Sequence, residues 1–314
     1  MPTYTLRQLE YLVAVADAGS ISAAAGALHV TPTAVASAIT ELERTLHTQL
    51  MVRRKAHGVV LTPTGTFLYN RATTLLRDAE ELQLATASGG AELVGPLVLG
   101  CYATLAPTIV PTLMRWVAEQ HPSVDLTVVT GSQAELPHRL LTGSLDLAVG
   151  YDMALPSGLD SVVLYEAPPY VLLPEDHPAA SAASVSLADL AAEPMILLNF
   201  PPAQEHTLML YADAGVTPNI VQRTTDFELT RSLVAHGFGY TILIQRPVSP
   251  TTYDGMPVVV REISPSVRPA VVRMMWPHDV RLTDRARALV DFAEANGDLL
   301  DPRTHESGPR VNQT

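Results

Sequence analysis

The chain is short of cysteine and of lysine. Its single cysteine, Cys101, excludes an intrachain disulfide and any metal site built from several thiolates. Its single lysine, Lys55, stands between Arg54 and Ala56 and directly follows Arg53-Arg54, so the densest positive cluster lies at one place. The ten histidines show neither HxH nor HExxH spacing, and no GxSxG, P-loop or GxGxxG motif occurs. No metal, cofactor or catalytic residue is therefore expected, and an enzyme has no support. Long apolar spans are lacking too. Residues 93–114 are 22 positions without a charge, but Gly95, Pro96, Gly100, Pro107 and Pro111 interrupt them. Such a stretch makes a poor membrane helix and a good buried strand followed by a helix. The N-terminal apolar stretch carries Glu10 and Asp17 and lacks a basic start, so no signal peptide is expected. A cytoplasmic protein with no membrane partner follows.

What is present is an ordinary globular composition, 47% hydrophobic and 17% charged, over 314 residues, enough for two or three domains. The net charge of −12 argues at first against nucleic acid. Its distribution argues the other way. Residues 1–72 hold six basic and four acidic residues, whereas the rest hold 14 and 28. A mildly basic head on an acidic body fits a small DNA-binding module carried by a larger one.

The head is dense in helix signals. Thr5-Leu6-Arg7-Gln8 has the form of a capping box, and Leu6, Leu9, Leu12, Val13, Val15 and Ala16 follow as an apolar face up to Gly19-Ser20. A short helix capped by Ser22 and a turn at His29-Val30 come next. Thr31 then caps a third helix starting at Pro32, whose inward face is Val35, Ile39, Leu42 and Leu46. Thr33, Ala34, Ala36, Ser37 and Thr40 are left on the outer face. Such short polar and methyl groups suit base edges in a major groove, and equally suit a plain solvated face. The hairpin Arg53-Arg54-Lys55-Ala56-His57-Gly58 favours the first reading, because clustered cations supply phosphate contacts that hold a reading helix in register. Two helices, a turn and a basic hairpin outline a winged helix-turn-helix.

At this point the residues resemble a known family. Ala23-Ala24 with Leu28-His29-Val30, the series Thr31, Ala34-Val35, Ile39, Leu42-Glu43, then Leu46, Leu50, Arg53 and Leu61-Thr62-Pro63-Thr64-Gly65 carry the match. Residues 6–83 resemble the N-terminal domain of LysR-type transcriptional regulators. The family commonly has Ser-Gln-Pro where this chain has Thr31-Pro32-Thr33, Ser-Arg or Ser-Lys at Ala36-Ser37, and Phe at Met51. Readout through backbone and methyl groups is expected to carry more of the recognition here. The resulting DNA-contact candidates are Ser22, Thr31, Pro32, Thr33, Ala34, Ser37, Thr40, Arg53, Arg54 and Lys55. The resemblance implies double-stranded DNA with an interrupted inverted repeat as the partner.

Thr62 can cap a helix from Pro63 to about Ala87, with Phe67, Leu68, Leu75, Leu76, Ala79, Leu82 and Leu84 as a stripe. About 24 residues at the standard rise reach about 36 Å, more than a small winged domain covers. Pairing with a second copy is expected, as the resemblance also implies, giving a homodimer or homotetramer. Ser88-Gly89-Gly90-Ala91 reads as a hinge-like linker.

Beyond it, strands alternate with helices. Leu97–Gly100, Val124–Val128, Leu145–Val149, Val171–Leu173, Met195–Leu198, Tyr240–Leu243 and Val271–Met275 read as strands. Helices are expected from Pro107 to Gln120, Leu136 to Leu141, Phe227 to His236 behind a Thr225-x-x-Glu228 capping box, and Thr283 to Ala295, with Gly297 ending the last. This alternation implies parallel sheets flanked by helices. Residues Gly95–Pro111, Gly143–Ala148 and Leu233–Gly239 resemble the effector-binding domain of the same regulators. That implies a fold like the periplasmic solute-binding proteins.

The expected architecture is thus multidomain, α and α/β. A winged helix-turn-helix occupies 1–62 and a linker and dimerisation helix 63–92. A two-lobed effector-binding domain takes 93–301, with lobe I about 93–165 and 267–301 and lobe II about 166–266. A disordered tail covers 302–314. The resemblance places effector contacts at Tyr102, Ala103, Thr104, Thr130, Gly131, Tyr151, Phe200, Pro202 and Phe227. Their Tyr, Phe and Thr character, with a helix start near Thr104, suits a small aromatic or carboxylated organic effector. The alternatives are a two-lobed enzyme, or a solute-binding protein with the head as an interaction module. The missing catalytic motifs and missing signal peptide oppose them.

Overall fold

The computed structural model describes residues 3–54, 58–87 and 92–307. They form two compact units. One is Met1–Pro96 with Ser123–Asp125 and Arg139–Leu145; the other is Leu97–Pro122, Leu126–His138 and Asp146–Thr314.

In the N-terminal unit, α1 (Leu6–Ala18) begins on the Thr5–Gln8 capping box and ends at Gly19, whose φ of 65° is one that glycine adopts freely. Helix α2 (Ile21–Ala27) is capped by Ser20, which accepts from the Ala23 amide at 3.1 Å, and not by Ser22. The hydroxyl must precede the first helical residue to reach the third amide, and Ser22 already lies inside the helix. Helix α3 (Pro32–Leu46) has Thr31 as cap, accepting from Ala34 N at 3.2 Å, and Pro32 at its first position. Strands β1 (Met51–Arg54) and β2 (Gly58–Leu61) pair antiparallel, with Met51 opposite Leu61 and Arg54 opposite Gly58. Helix α4 (Pro63–Ala87) spans 25 residues, and the Thr62 hydroxyl accepts from Gly65 N at 2.9 Å.

Leu9, Leu12, Val15, Ala24, Val35, Leu42 and Leu50 form the buried core of this unit, with Leu68 and Leu76 of α4 packed against it. Two glycines are set by close approach. A Cβ at Gly65 would lie 1.9 Å from the Leu50 carbonyl oxygen, and one at Gly58 would lie 2.3 Å from that of Gly19.

The C-terminal unit holds two sheets joined by two crossings. The five-stranded sheet runs β4 (Val124–Gly131), β3 (Gly95–Tyr102), β5 (Leu147–Tyr151), β13 (Ala270–Pro277), β6 (Leu159–Ala167). Its helices are α5 (Ala106–Gln120), α6 (Glu135–Leu141), α10 (Asp284–Ala295) and α11 (Gly297–Leu300). The four-stranded sheet runs β11 (Thr241–Leu243), β7 (Tyr170–Pro174), β12 (Val258–Ile263), β8 (Ser184–Val185). Beside it lie the parallel pair β9 (Pro194–Leu198) and β10 (Asn219–Thr224), tied in by a bridge from Met195 to Tyr240. Helices α7 (Leu187–Leu190), α8 (Ala203–Asp213) and α9 (Phe227–Ala235) complete this lobe.

The sheets are mixed, not purely parallel. β3 runs parallel to β5, but β13 is antiparallel to β5 and β6, and β7 to β11 and β12. The reason is topological: a chain that crosses to a second lobe and returns enters the first sheet from the opposite end. β6, β8, β10 and β12 lie outside the sequence-predicted strands. β10 is mostly exposed and β6 alternates only at its end, so neither carries a sustained apolar pattern.

Three local expectations change. Helix α9 is capped by Asp226, which accepts from Leu229 N at 2.7 Å, not by a Thr225–Glu228 box. Glu228 instead pairs at 2.6 Å with buried Arg231 and accepts from Tyr253 N at 2.7 Å. Gly297 does not end the last helix but opens α11, where a Cβ would meet the Leu164 carbonyl oxygen at 2.1 Å. Pro302–Ser307 forms a 3-10 helix where the sequence predicts an irregular tail. The Arg303 guanidinium there forks onto the Asp301 carboxylate and donates to the Glu166 carbonyl, anchors that lie far away in sequence or depend on rotamer. Residues 308–314 of that expected tail, and the whole of the expected linker at Ser88–Ala91, lie outside the described residues. Among the described residues no helix is long and apolar enough to cross a membrane.

Candidate DNA-binding surface and effector cleft

Helix α3 divides cleanly. Val35, Ile39 and Leu42 are buried, while Thr31, Pro32, Thr33, Ala34, Ser37 and Thr40 are exposed along the other side. Ala36, expected outward, is half-buried. Period-3.6 geometry does this: the apolar positions fall on one stripe and leave the small residues facing water. The Thr40 hydroxyl donates to the Ala36 carbonyl at 2.9 Å, so its free capacity toward a ligand is as an acceptor or through a shared proton. Ser22 is exposed on α2.

The hairpin is fixed to this helix by one carboxylate. Glu43 Oε1 accepts from Leu50 N at 2.7 Å and Met51 N at 3.1 Å, which pins the start of β1 to α3. On the other strand Val59 N donates to Gly19 O at 2.8 Å, tying β2 to the turn between α1 and α2. Arg53 and Arg54 occupy β1 opposite Val59 and Gly58. Lys55 lies outside the described residues. The Tyr69 phenol of α4 donates to Asp17 Oδ1 at 2.6 Å; burial first, and that carboxylate second, push its pKa up to about 12. This bond fastens α4 to α1.

Several candidate effector residues meet between the two lobes of the C-terminal unit. Tyr102, at the end of β3, stacks on Phe200 with ring centroids 5.5 Å apart and meets Tyr151 edge-on at 5.5 Å. Its hydroxyl donates to the Pro201 carbonyl at 3.1 Å, a bond from one lobe to the other. Burial raises the pKa of Tyr102 and of Tyr151 well above the ordinary phenol value, so both stay neutral hydrogen-bond groups. Thr104, Tyr151 and Phe227 join Tyr102 around a cavity of only about 20 Å³. Pro202 is buried and lines a separate cavity of about 490 Å³. Ala103 and Thr130 are exposed, and with Gly131 they do not line these cavities; Ala103 N donates to the Gly131 carbonyl at 3.1 Å.

Helix α5 starts here without a side-chain cap, since Leu105 occupies the cap position. Its first amides thus find no side-chain acceptor, unlike those of α3.

Sequence reasoning missed three buried polar side chains, and the glycine that one of them requires. Gln133 is buried and grips the end of β5, accepting from Tyr151 N at 3.2 Å and donating to Tyr151 O at 2.6 Å. Gly150 is glycine beside it because a Cβ would lie 2.7 Å from that carboxamide oxygen. Gln245, from the second lobe, donates to Thr108 of α5 across the cleft, and Tyr170 donates to its carbonyl at 2.9 Å. His206 of α8 is 7% exposed, and burial lowers its pKa from the ordinary 6.5. No spacing signal marks a lone polar side chain that is buried only by tertiary packing.

Comparison with known proteins covers nearly the whole chain. The family model of the bacterial regulatory helix-turn-helix protein, lysR family, matches residues 6–66, and that of the LysR substrate binding domain matches 90–298. The HTH-type regulator YvbU of Bacillus subtilis is 30% identical over 268 residues, covering 84% of this chain and 89% of the relative. The dual regulator OxyR of Escherichia coli K12 is 29% identical over 246 residues, covering 78% and 80%. Among solved structures, HinK, a LysR family regulator of Pseudomonas aeruginosa, matches with a TM-score of 0.63 and 34% identity over 94% of this chain and 99% of that one. Full-length CbnR with its target DNA shares the fold at a TM-score of 0.61 and 20% identity, covering 93% of this chain and 99% of that one. Hydrogen peroxide-inducible activators are among the relatives. A disulfide between two cysteines of this chain is nevertheless excluded, since Cys101 stands alone, buried in β3, with burial pushing its thiol up to about 12.

Proposed function

Because the chain belongs to the LysR family of transcriptional regulators, we propose that it reads an interrupted inverted repeat in double-stranded DNA and answers to a small organic effector held between the lobes of its C-terminal unit. The observation that carries the DNA half is the exposed side of α3, with its hydrogen-bonded tie to the wing. Thr31, Pro32, Thr33, Ala34, Ser37 and Thr40 present hydroxyls, methyl groups and a helix start to base edges and phosphate. Ser22 of the preceding helix reaches the backbone, and Arg53, Arg54 and Lys55 of the wing supply salt-sensitive phosphate contacts. A symmetric repeat needs two heads. The exposed Phe67, Leu75 and Leu82 of α4 give the helix an apolar side for a second copy, as a homodimer or a pair of dimers. Domain limits near residues 62, 92 and 301 follow from this reading, and such a regulator works in the cytoplasm.

For the effector half, Tyr102, Thr104, Tyr151, Phe200 and Phe227 form an aromatic, hydroxyl-bearing contact set. Ala103, Thr130, Gly131 and Pro202 stand at its margins. An aromatic or carboxylated ligand fits: rings for stacking, hydroxyls and the uncapped α5 start for the anion. Opening the Tyr102–Phe200 stack to admit it would alter how the lobes close, the two-state element through which binding reaches the DNA heads.

Fluorescence anisotropy on DNA from beside the gene, with and without a panel of aromatic and organic acids, tests both halves. The reading expects salt-dependent binding to one interrupted repeat and a ligand-induced change in affinity or bend. DNA binding without sequence preference would remove the first half. Thermal stability unmoved by every organic acid would remove the second.

A further inference from the structure

The largest space among these cavities is not the aromatic cleft. A chamber of about 760 Å³ lies along α8 and the returning crossing, lined by Leu187, His206, Met209, Asp213, Val267 and Arg268 among others. Its volume falls in the range of about 300–1,000 Å³ usual for small-molecule sites. It adjoins the 490 Å³ cavity, and the two share Asp152, Met153, His206 and Met209 as a common wall. The chamber shares no lining residue with the aromatic cavity around Tyr102.

Its charges sort into a simple pattern. Asp152 is already engaged, paired with Arg273 at 2.9 Å. His206 is buried and held neutral by that burial. Arg268 and Asp213 remain, both exposed, and among the described residues neither side chain has a hydrogen bond or ion pair. One unengaged cation and one unengaged anion border a space whose remaining wall includes Met153, Leu187, Met209, Leu210 and Val267 beside Ser186, Ser264 and Ser266. A lone organic anion would meet Asp213, and a lone amine would meet Arg268. A ligand bearing both charges on an apolar body meets neither penalty.

We propose that this chamber is a second small-molecule site, for an apolar zwitterion of about di- or tripeptide size, with its carboxylate at Arg268 and its ammonium at Asp213. Because the lining includes the segment from Ile263 to Val271, through which the chain returns between lobes, an occupant touches the hinge directly. The site goes beyond the effector cleft and stands independently of it.

The test is calorimetric titration of the full chain with the dipeptide leucyl-phenylalanine, its N-acetyl derivative and its C-terminal amide. The unmodified dipeptide should bind, and each blocked form should bind about tenfold more weakly, a loss on the order of 1.4 kcal/mol. Arg268→Ala should weaken the dipeptide about tenfold and be insensitive to amidation; Asp213→Asn should do the same and be insensitive to acetylation. Phe227→Ala, on the aromatic cleft, should leave dipeptide affinity unchanged. Both charge variants replace exposed side chains, so folding is retained and is checked by circular dichroism. No heat of binding with the dipeptide, or affinities indifferent to Arg268 and Asp213, would overturn the second site and leave the aromatic cleft untouched. Loss of dipeptide binding in Phe227→Ala would instead assign the ligand to that cleft.

Discussion

The two candidate recognition surfaces of this molecule are built in opposite ways. On α3 the candidate residues are exposed and small, and the chemistry they offer is set by which side of a helix they occupy. In the C-terminal unit, the candidate residues Tyr102 and Tyr151 are buried to 1% and 3% exposure, and the space they surround is about 20 Å³. A DNA groove comes to a surface that is already complete. Under the proposed function, a small ligand has to be admitted to one that is closed by its own side chains. The helix starts differ in the same sense: Thr31 caps α3 from within the chain, whereas α5 begins on Leu105 with no side-chain acceptor.

The contrast breaks most severely where the head loses its core. Leu42→Ala, at 0% exposure on the inner side of α3, should cost about 2–5 kcal/mol and abolish DNA binding, read by thermal unfolding of the N-terminal unit. Gly65→Ala should rival it, since its Cβ would have to displace the Leu50 backbone. If either left DNA affinity intact, the claim that a rigid core presents α3 would be lost.

Next in size is the wing. Replacing Arg53 and Arg54 together by alanine should weaken binding on every DNA sequence and flatten the log–log salt slope by about 2, roughly 0.9 per lost phosphate contact. A loss confined to one sequence would move these arginines from positioning to base reading. In the body, Phe200→Ala removes the ring stacked on Tyr102. It should leave effector-free DNA binding unchanged while altering the affinity for any aromatic or carboxylated ligand. A change in effector-free DNA affinity alone would erase the distinction between the two surfaces.

Smaller effects sharpen it. Thr31→Ala should cost about 1 kcal/mol of head stability through the lost cap, measured by denaturant midpoint, and less with Asn or Ser in its place. The last is a matter of pH. His206 has its pKa depressed by burial, so the unfolded chain takes up a proton there before the folded one does. Its contribution is complete above the ordinary value of 6.5 and falls as the pH drops below it. His278 is displaced upward by the Asp160 carboxylate, so its contribution is complete below 6.5 and fades as the pH rises, and it is small because the pair is exposed. His206→Gln should therefore reduce the loss of stability from about pH 6.5 to 5, while His278→Gln should not. Equal behaviour of the two variants would remove burial as the cause.

Legibility in the sequence followed the range of the interaction. The capping box at Thr5, the cap at Thr31 followed by Pro32, and the stripe Val35, Ile39, Leu42 are local, and the structure has them as the spacing predicts. The misplaced caps at Ser22 and Thr225 were errors of one or two positions, because two hydroxyl or carboxyl candidates stood side by side and only the backbone angle chooses between them. The strands β6 and β10 were missed because their faces alternate weakly. In the C-terminal unit the family resemblance named Tyr102, Tyr151 and Phe200 as candidates, but not the way they pack against one another. Phe200 and Tyr102 are brought face to face from separate lobes, and Gln245 reaches Thr108 from 137 positions away.

The sequence by itself determined the face of α3, because helix period and capping are properties of neighbouring residues, and its motifs carried the resemblance that gave the class of the protein. Only the tertiary structure decided where a small molecule has room. Cavity volume is what remains after distant side chains have packed. Here that packing nearly closes the aromatic cleft and leaves about 760 Å³ beside α8, where Arg268 and Asp213 stand without partners among the described residues.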